Sequence, residues 1–154
     1  MEIVNLKEHA EFIPTLAAWH YEQWSYLYTD DSVEKRIAAL KDELESDGIP
    51  ETFVAFSGNT PFGSASLIPH DMETRMELSP WLASVFVAPE FRDGRIGSAL
   101  VRHVVKEAGR LGYRTIYLFT TDDRLAFYSR LGWSILEKTE YHNQQVHIMS
   151  IDIA

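Results

Sequence analysis

Apolar residues recur along the N-terminal part of the chain with two different periods. Residues 2–6 alternate apolar and polar side chains as a short strand does, and Phe12, Leu16 and Trp19 then recur at the spacing of an amphipathic helix. The stretch 31–48 predicts a second helix, because it begins with acidic capping residues, carries one apolar stripe and ends in glycine. The chain is therefore predicted to open with a strand and two helices.

Strand and helix patterns alternate in the rest of the chain. Two strands within 51–68 flank a Gly-Asn-Thr-Pro turn, and bulky apolar residues predict a third strand over 80–89. A single apolar face then predicts a helix over 97–111. The further predicted elements are a strand over 115–120, a short helix over 123–131, and strands over 133–141 and 145–153. This order indicates an α+β fold with a mixed sheet, and the length of 154 residues favours one domain spanning 1–154.

The stretch FRDGRIGSALV, residues 91–101, has the composition of an anion-binding helix N-terminus. A helix start carries unpaired N–H groups and a partial positive charge, and glycine lets the backbone approach a phosphate closely. Arg92 and Arg95 add charged donors beside Gly94 and Gly97. A P-loop or a dinucleotide fingerprint would need other glycine spacings, so the stretch is neither. The same residues also fit a plain helix start with two solvated arginines.

Two blocks of sequence resemble a known family. VFVAPEFRDGRIGSALV and, beyond the next predicted strand, LAFYSRLGW are similar to the cofactor-binding half of the GNAT family of N-acetyltransferases. The predicted order of elements is also similar to that family across nearly all of the chain. The resemblance implies an α/β/α layered fold, with a mixed central sheet flanked by helices. It also implies that the acetyl group of acetyl-CoA is transferred directly, in a ternary complex, to a primary amine.

The resemblance implies a cofactor site around the same stretch. The family's loop R/Q-x-x-G-x-G/A falls on residues 92–97, whose backbone amides and that of Ser98 would hold the coenzyme A pyrophosphate. The strand before this loop would pair its open edge with the pantetheine arm, and two residues of the short helix segment would lie along the channel. The residues implied to bind acetyl-CoA are Val85, Phe86, Val87, Arg92, Asp93, Gly94, Arg95, Ile96, Gly97, Ser98, Asp123 and Phe127.

The loop departs from the family pattern at two positions. The family usually has glycine where this chain has Arg95, and often another glycine where it has Asp93. A side chain at 95 could obstruct the backbone, and a carboxylate at 93 would repel phosphate, while we expect Arg95 to compensate by reaching the phosphates itself. The departures motivate an alternative function, a non-catalytic module that binds coenzyme A or another ligand on the same fold.

The resemblance also implies a catalytic acid. Tyr128 matches a tyrosine that, in many members, lies near the thioester sulfur and protonates the leaving thiolate, and a phenol with a pKa of about 10 suits that role. A base or a chain of waters must take the proton of the amine. Glu77, ahead of the central strand, is the candidate base, and Ser84 within the strand is a second candidate. Taken alone, these residues also fit ordinary core or surface positions.

No metal site is predicted. The chain has no cysteine, and no two of its histidines have the spacing of a metal-binding pair. The six histidines are His9, His20, His70, His103, His142 and His147. The resemblance implies acetyl-CoA as the cosubstrate, with no metal.

The net charge and the aromatic segment near the N-terminus indicate which partners the protein binds. A formal charge of −9 is a poor match to nucleic acid or to an anionic membrane surface. Residues 19–28 combine tryptophans and tyrosines ahead of Asp30 and Asp31, which favours an amine-bearing, cationic acceptor, although these aromatics also fit helix packing. The acceptor can be a small molecule, a peptide or a protein, and the chain is expected to act as a monomer or homodimer.

The sequence also bears on the compartment. The first residues lack a secretory signal, no apolar run approaches the length that spans a bilayer, and cysteine is absent. We therefore expect a cytoplasmic protein.

Overall fold

Seven strands and four helices make up the fold, described by a computed structural model over residues 1–92 and 95–153. The strands are β1 (Glu2–Asn5), β2 (Glu51–Ser57), β3 (Thr60–Ile68), β4 (Trp81–Val87), β5 (Thr115–Thr120), β6 (Ser134–Tyr141) and β7 (Gln144–Asp152). The helices are α1 (Ile13–Trp24), α2 (Val33–Glu43), α3 (Ile96–Arg110) and α4 (Leu125–Arg130). Their order along the chain is the order that the sequence predicts.

The strands form one mixed sheet that opens at its centre. The order across the sheet is β1-β2-β3-β4-β5-β7-β6, and every neighbouring pair is antiparallel except β4 and β5. Within the described residues, these two parallel strands have one register pair, Trp81 opposite Tyr117. The Tyr117 N–H donates to the Pro80 carbonyl at 3.1 Å. Beyond this point β4 and β5 separate, so the sheet opens toward their carboxyl ends.

Helices cover both faces of the sheet, because side chains alternate between the two faces along each strand. In β2, Phe53 and Ala55 pack in the core under α3 and α4, whereas Val54 and Phe56 pack in a second core under α1 and α2. The interior positions of β2 read as a continuous apolar run for this reason. The layered α/β/α arrangement follows from these two cores.

A bulge bends β4 where it faces the opening. Ala83 pairs with Ser66 and Phe86 pairs with Ser64, so Ser84 and Val85 together oppose one residue of β3. Ser84 has a φ of 54°, in the left-handed region that non-glycine residues rarely adopt. Such strain is typical of functional positions. The bulge directs Ser84 and Val85 toward the gap between β4 and β5.

The last helix begins slightly later than the sequence predicts. Residues 122–124 form a separate 3-10 turn, and α4 starts at Leu125 rather than at 123. Two side-chain bonds hold the tight turn: Asp122 pairs with His147 of β7, and the Thr121 hydroxyl donates to Asp123. These bonds compete locally with the helix, as short polar side chains often do.

His20 is a buried polar residue beneath the bulge. It lies on α1 at 4% exposure, and its Nε2 is 3.0 Å from the Ser64 hydroxyl of β3. Burial, together with the charge of Arg36, lowers the pKa of His20 to about 4. The imidazole is therefore neutral at physiological pH and ties α1 to the strand that pairs with the bulge.

Acid is expected to weaken this contribution of His20. The folded protein holds the imidazole neutral while the unfolded chain takes up a proton below its ordinary pKa of about 6.5, so stability is lost as the pH falls from about 6.5 toward 4. The stability advantage of wild type over His20→Gln should shrink by about 2 kcal/mol between pH 7.5 and 4.5. Urea unfolding at the two pH values measures this difference in the free energy of unfolding. His70→Gln is the control, because His70 is exposed. A pH-independent advantage would contradict a neutral buried imidazole.

Candidate active site

A cleft of about 820 Å³ occupies the gap between β4 and β5. Its walls come from both strands, the start of α3, the turn before α4 and α4 itself. The structure brings most of the predicted site residues to this cleft. Those that line it are Val85, Phe86, Val87, Arg92, Arg95, Gly97, Ser98, Asp123, Phe127 and Tyr128.

The remaining predicted site residues lie elsewhere. Ile96 is buried in the core under α3, with 8% exposure, and is absent from the cleft wall. Asp93 and Gly94 lie outside the described residues. The structure does not bring the candidate base Glu77 to the cleft: its carboxylate lies at the surface and accepts from Nε of Arg75 at 2.8 Å. That bond holds the pKa of Glu77 below its ordinary value, opposite to what a base needs.

The start of α3 offers backbone donors to the cleft. The first bond of this helix runs from the Ala99 N–H to the Arg95 carbonyl at 3.1 Å, so the preceding N–H groups have no partner within the helix. Arg95 adopts the left-handed conformation, with φ of 64°, at the position where the resembling family has glycine. A Cβ on Gly97 would come within 3.5 Å of Phe127 and 3.6 Å of Val87, so its absence keeps the cleft floor open.

Arg92 folds back over the end of β4. Its Nε donates to the Val87 carbonyl at 2.8 Å, and its guanidinium lies 5.4 Å from the centre of the Phe86 ring. The side chain of Arg92 thereby stays at the cleft mouth, beside the start of α3.

The charge of the cleft differs from the charge of the chain. Among the described lining residues, Arg92, Arg95 and Arg124 outnumber Asp123 at the end formed by α3 and α4. The whole chain carries −9. This end of the cleft therefore suits a polyanion, which the total charge does not indicate.

Tyr128 presents a buried hydroxyl group at the cleft. The residue is 6% exposed, and its ring packs edge-on against Phe127 and Trp133, with centroids 4.9 and 6.3 Å apart. Burial raises the pKa of Tyr128 to about 12, and the nearby Arg124 offsets part of this rise. The phenol is therefore protonated at physiological pH and can donate its proton.

Asp71, in the loop between β3 and β4, is a cleft residue that sequence reasoning missed. Burial raises its pKa to about 7. The tyrosines Tyr28 and Tyr141 lie near it: burial first, and then neighbouring charges that include Asp71, raise the pKa of each. The one local signal is Met72, an apolar residue in a polar loop, which is fully buried and holds this part of the loop against the sheet.

A salt bridge neutralises Arg36, an arginine of the cleft that lies near the same tyrosine as Asp71. Arg36 of α2 lines the cleft and donates three hydrogen bonds to Asp31, at 2.8 to 3.1 Å. Its guanidinium also lies 5.9 Å from the centre of the Tyr28 ring. Asp71 is therefore the uncompensated charge at this end of the cleft, among the described lining residues.

Residues 1–92 and 95–153 show neither a metal-binding cluster nor a membrane-spanning helix. No group of three acidic or histidine side chains converges there as a metal ion would require. None of the helices is both long and apolar enough to cross a bilayer.

Comparison with known proteins decides the family. A sequence model of the acetyltransferase (GNAT) family matches residues 13–133. The chain belongs to this family. The match covers every element that lines the cleft of this GNAT protein except β7. The resemblance seen in the sequence is confirmed.

Solved structures of other GNAT proteins share the fold over its whole length. An aminoglycoside 6'-N-acetyltransferase complexed with coenzyme A has a TM-score of 0.77 and 21% identity, covering 100% of this chain and 98% of its own. The aminoglycoside 6'-N-acetyltransferase from Enterococcus faecium has a TM-score of 0.74 and 21% identity, covering 100% of this chain and 98% of its own. A ribosomal-protein-alanine N-acetyltransferase from Brucella melitensis has a TM-score of 0.77 and 19% identity, covering 99% of each chain. These likenesses confirm the predicted α+β fold with its mixed sheet. No curated protein sequence matches the chain significantly.

Proposed function

We propose that this GNAT protein is an N-acetyltransferase that moves the acetyl group of acetyl-CoA directly to a primary amine in a ternary complex. The observation that carries the proposal is the cleft between the separated ends of β4 and β5, which has a cationic helix start at its mouth and Tyr128 inside. One cleft thus offers an anion site and a proton donor. A structural neighbour complexed with coenzyme A supports the choice of cofactor.

The cleft residues fit acetyl-CoA by their chemistry. Arg92, Arg95 and the N–H groups of the first turn of α3 supply the donors that a pyrophosphate needs. The edge of β4 that faces away from β3, from Val85 to Val87, offers backbone groups to the amides of the pantetheine arm. When bound, acetyl-CoA supplies a thioester as the acyl donor.

Two side chains can manage the protons of the transfer. Asp71, ionised above a pKa of about 7, takes a proton from the ammonium form of the acceptor, which leaves a neutral nitrogen able to attack. The new C–N bond forms as the C–S bond breaks, and the phenol of Tyr128 gives its proton to the departing thiolate. The nitrogen sheds its second proton as the amide forms, and that proton returns through water to the Tyr128 oxygen. We assign the stabilisation of the oxyanion on the carbonyl to a backbone N–H of β4 near Phe86. Asp71 thereby replaces Glu77 as the proposed base.

We propose a primary amine as the acceptor because the neighbours are named for such acceptors, an aminoglycoside in one and the alanine of a ribosomal protein in another. The cytoplasm is the proposed compartment, since the sequence has no cysteine. A monomer or homodimer that binds neither nucleic acid nor membrane remains the proposal for its assembly and partners.

Calorimetric titration with acetyl-CoA tests the cofactor site. We expect binding of acetyl-CoA and coenzyme A, but not of NAD, and a 10- to 100-fold weaker affinity in Arg92→Ala, because a charge-assisted hydrogen bond contributes about 1.5–3 kcal/mol. Arg102→Ala is the matched control, since Arg102 is exposed on α3 outside the cleft.

Three outcomes separate the possible functions. Binding followed by amine-dependent release of coenzyme A supports the transferase. Binding without transfer to any amine would favour the non-catalytic coenzyme A module instead. No binding at millimolar acetyl-CoA would overturn the cofactor assignment itself.

A further inference from the structure

The end of the cleft opposite the α3 helix start has a composition of its own. It is formed by the C-terminal part of α1, the segment before α2, the β3–β4 loop, β5 and the start of β7. We call it the acceptor end, and its lining includes Trp24, Leu27, Tyr28, Asp71, Phe119 and Val146. Aromatic and apolar side chains thus line the acceptor end together with the side-chain amides of Gln23 and Gln144.

The acceptor end holds one carboxylate for a cation. Arg36 is the other charged residue in this part of the described lining, and its salt bridge with Asp31 offsets it. Asp31 is itself engaged by Arg36 and is 11% exposed in its side chain. One ammonium group therefore finds a partner in Asp71, whereas a second or third would find none among the described residues of the acceptor end and would face Arg36 instead.

Two aromatic rings that line the acceptor end pack against neighbouring rings. Trp24 packs edge-on against Phe86 with centroids 6.2 Å apart, and Phe119 packs edge-on against Tyr141 at 5.4 Å. Rings held in this way present flat apolar surface at little cost in side-chain entropy. They suit an aromatic or branched apolar group.

Contact between two segments limits the outer side of the acceptor end. Tyr28 precedes α2, and its ring meets His142, in the β6–β7 turn, with centroids 5.8 Å apart. His142 and Asn143 both have positive φ, as a tight two-residue hairpin turn requires. The hairpin tip thereby lies against the segment before α2, and this contact favours a compact acceptor over a long peptide.

We propose that the acceptor is a small primary amine with a single positive charge and an aromatic or branched apolar body. The proposal rests on the proposed transferase function and narrows its acceptor. The ammonium lies at Asp71 and loses its proton there, the apolar body lies between the rings, and the products are the N-acetyl amide and coenzyme A with a free thiol.

Initial rates with matched acceptors test this substrate class. The probes are 2-phenylethylamine, n-butylamine, the polycationic aminoglycoside kanamycin and a peptide with N-terminal alanine. Coenzyme A release is read with a thiol reagent, which has no protein background because the chain lacks cysteine, and mass spectrometry identifies the acetylated product. We expect kcat/KM for 2-phenylethylamine to exceed that for kanamycin and for the peptide at least 10-fold.

A variant pair separates ring recognition from loss of stability. Phe119→Leu should lower kcat/KM for 2-phenylethylamine about 5-fold, within the range expected for an aromatic pair, while changing that for n-butylamine less than 2-fold. Tyr117→Leu is the control, because Tyr117 lies on the same strand beside Trp81 and outside the cleft. An equal loss of kcat/KM for both amines in Phe119→Leu would contradict recognition of the acceptor by the aromatic rings.

Three results would contradict the proposal, and they distinguish failure of the acceptor class from failure of the proposed transferase function. A 10-fold preference for kanamycin or for the peptide would overturn the small-amine class while leaving the transferase intact. Calorimetric binding of acetyl-CoA without transfer to any of the four probes would also overturn this class. Absence of acetyl-CoA binding would instead overturn the proposed function on which the class rests.

Discussion

Replacement of Tyr128 by phenylalanine is expected to lower kcat by 10²- to 10³-fold, the range of a lost general acid. The affinity for acetyl-CoA should change less than 3-fold, because the buried ring and its packing on Phe127 and Trp133 are retained. With a pKa of about 12, the phenol stays protonated across the working range, so loss of its hydroxyl removes the donor at every pH. Steady-state rates and calorimetry together measure the two effects.

The matched control for this variant is Tyr113→Phe. Tyr113 packs against the same core after α3 but does not line the cleft, so it reports the effect of deleting a phenol hydroxyl on stability alone. A Tyr128→Phe protein with melting temperature and kcat both close to those of wild type would show that the thiolate leaves without this proton.

Replacement of Asp71 by asparagine is expected to lower kcat by about 10²-fold near pH 7.5. The wild-type kcat/KM should rise with pH and bend at about pH 7, as Asp71 becomes ionised and able to accept a proton. In Asp71→Asn that bend should disappear, and the rate should follow the ionisation of the amine alone. The groups near Asp71 are Tyr28, Tyr141 and the paired Arg36, and the two tyrosines have raised pKa values that leave them neutral in this range.

The same variant should gain stability while it loses activity. Because burial raises the pKa of Asp71 from its unfolded value of about 4 to about 7, the folded state binds a proton that the unfolded state has released. Wild type is thus increasingly penalised as the pH rises between these values. The excess stability of Asp71→Asn should grow from pH 4 to 7 and then level off, at no more than about 4 kcal/mol.

Urea unfolding of wild type, Asp71→Asn and Glu73→Gln at pH 4.5 and 8.5 measures this gain. Glu73 lies two residues away in the same loop and is exposed, so its neutralisation should leave stability nearly unchanged at both pH values. An Asp71→Asn protein that is less stable than wild type at pH 8.5 would contradict a desolvated carboxylate at this position.

The start of α3 could be predicted from the sequence because its signals are contiguous. Arg92, Gly97 and the apolar stripe that follows all lie within a few turns of chain, and a helix start needs no distant partner to form. The role of Tyr128 is instead implied by the family resemblance of the short block that surrounds it, because its local pattern alone fits a core aromatic. Both signals lie in short stretches of chain, and together they predict this half of the cleft.

The acceptor half could not be predicted by the same means. Asp71 becomes buried only because its neighbour Met72 packs with Trp81, Val146 and Ile148, residues that are distant in sequence. Glu77 has the same residue chemistry and lies closer to β4, yet Arg75 holds it at the surface. Which of several carboxylates in one polar loop is desolvated depends on tertiary packing, and periodicity carries no information about that.

The left-handed conformation of Arg95 shows how the chain tolerates a departure from its family. The residue is exposed at the mouth of the cleft, and the strain of its positive φ arises between its own Cβ and its own backbone. The strain of about 1–2 kcal/mol is small beside the stability of a domain. The charge at position 95 is thereby retained at the start of α3, where we propose that the pyrophosphate binds.

Because β4 and β5 share a single described register pair, we expect the binding of acetyl-CoA between them to raise the stability of the fold. With Trp81 and Tyr117 as the one described pairing between the two halves of the sheet, an arm bound along β4 would add contacts to both halves that the unfolded chain cannot make. Such a ligand raises apparent stability by RT ln(1 + [L]/Kd), about 2.7 kcal/mol at one hundred times Kd. The small unfolded fraction of this protein, and with it the rate of its degradation, would then fall as the supply of the proposed cosubstrate acetyl-CoA rises.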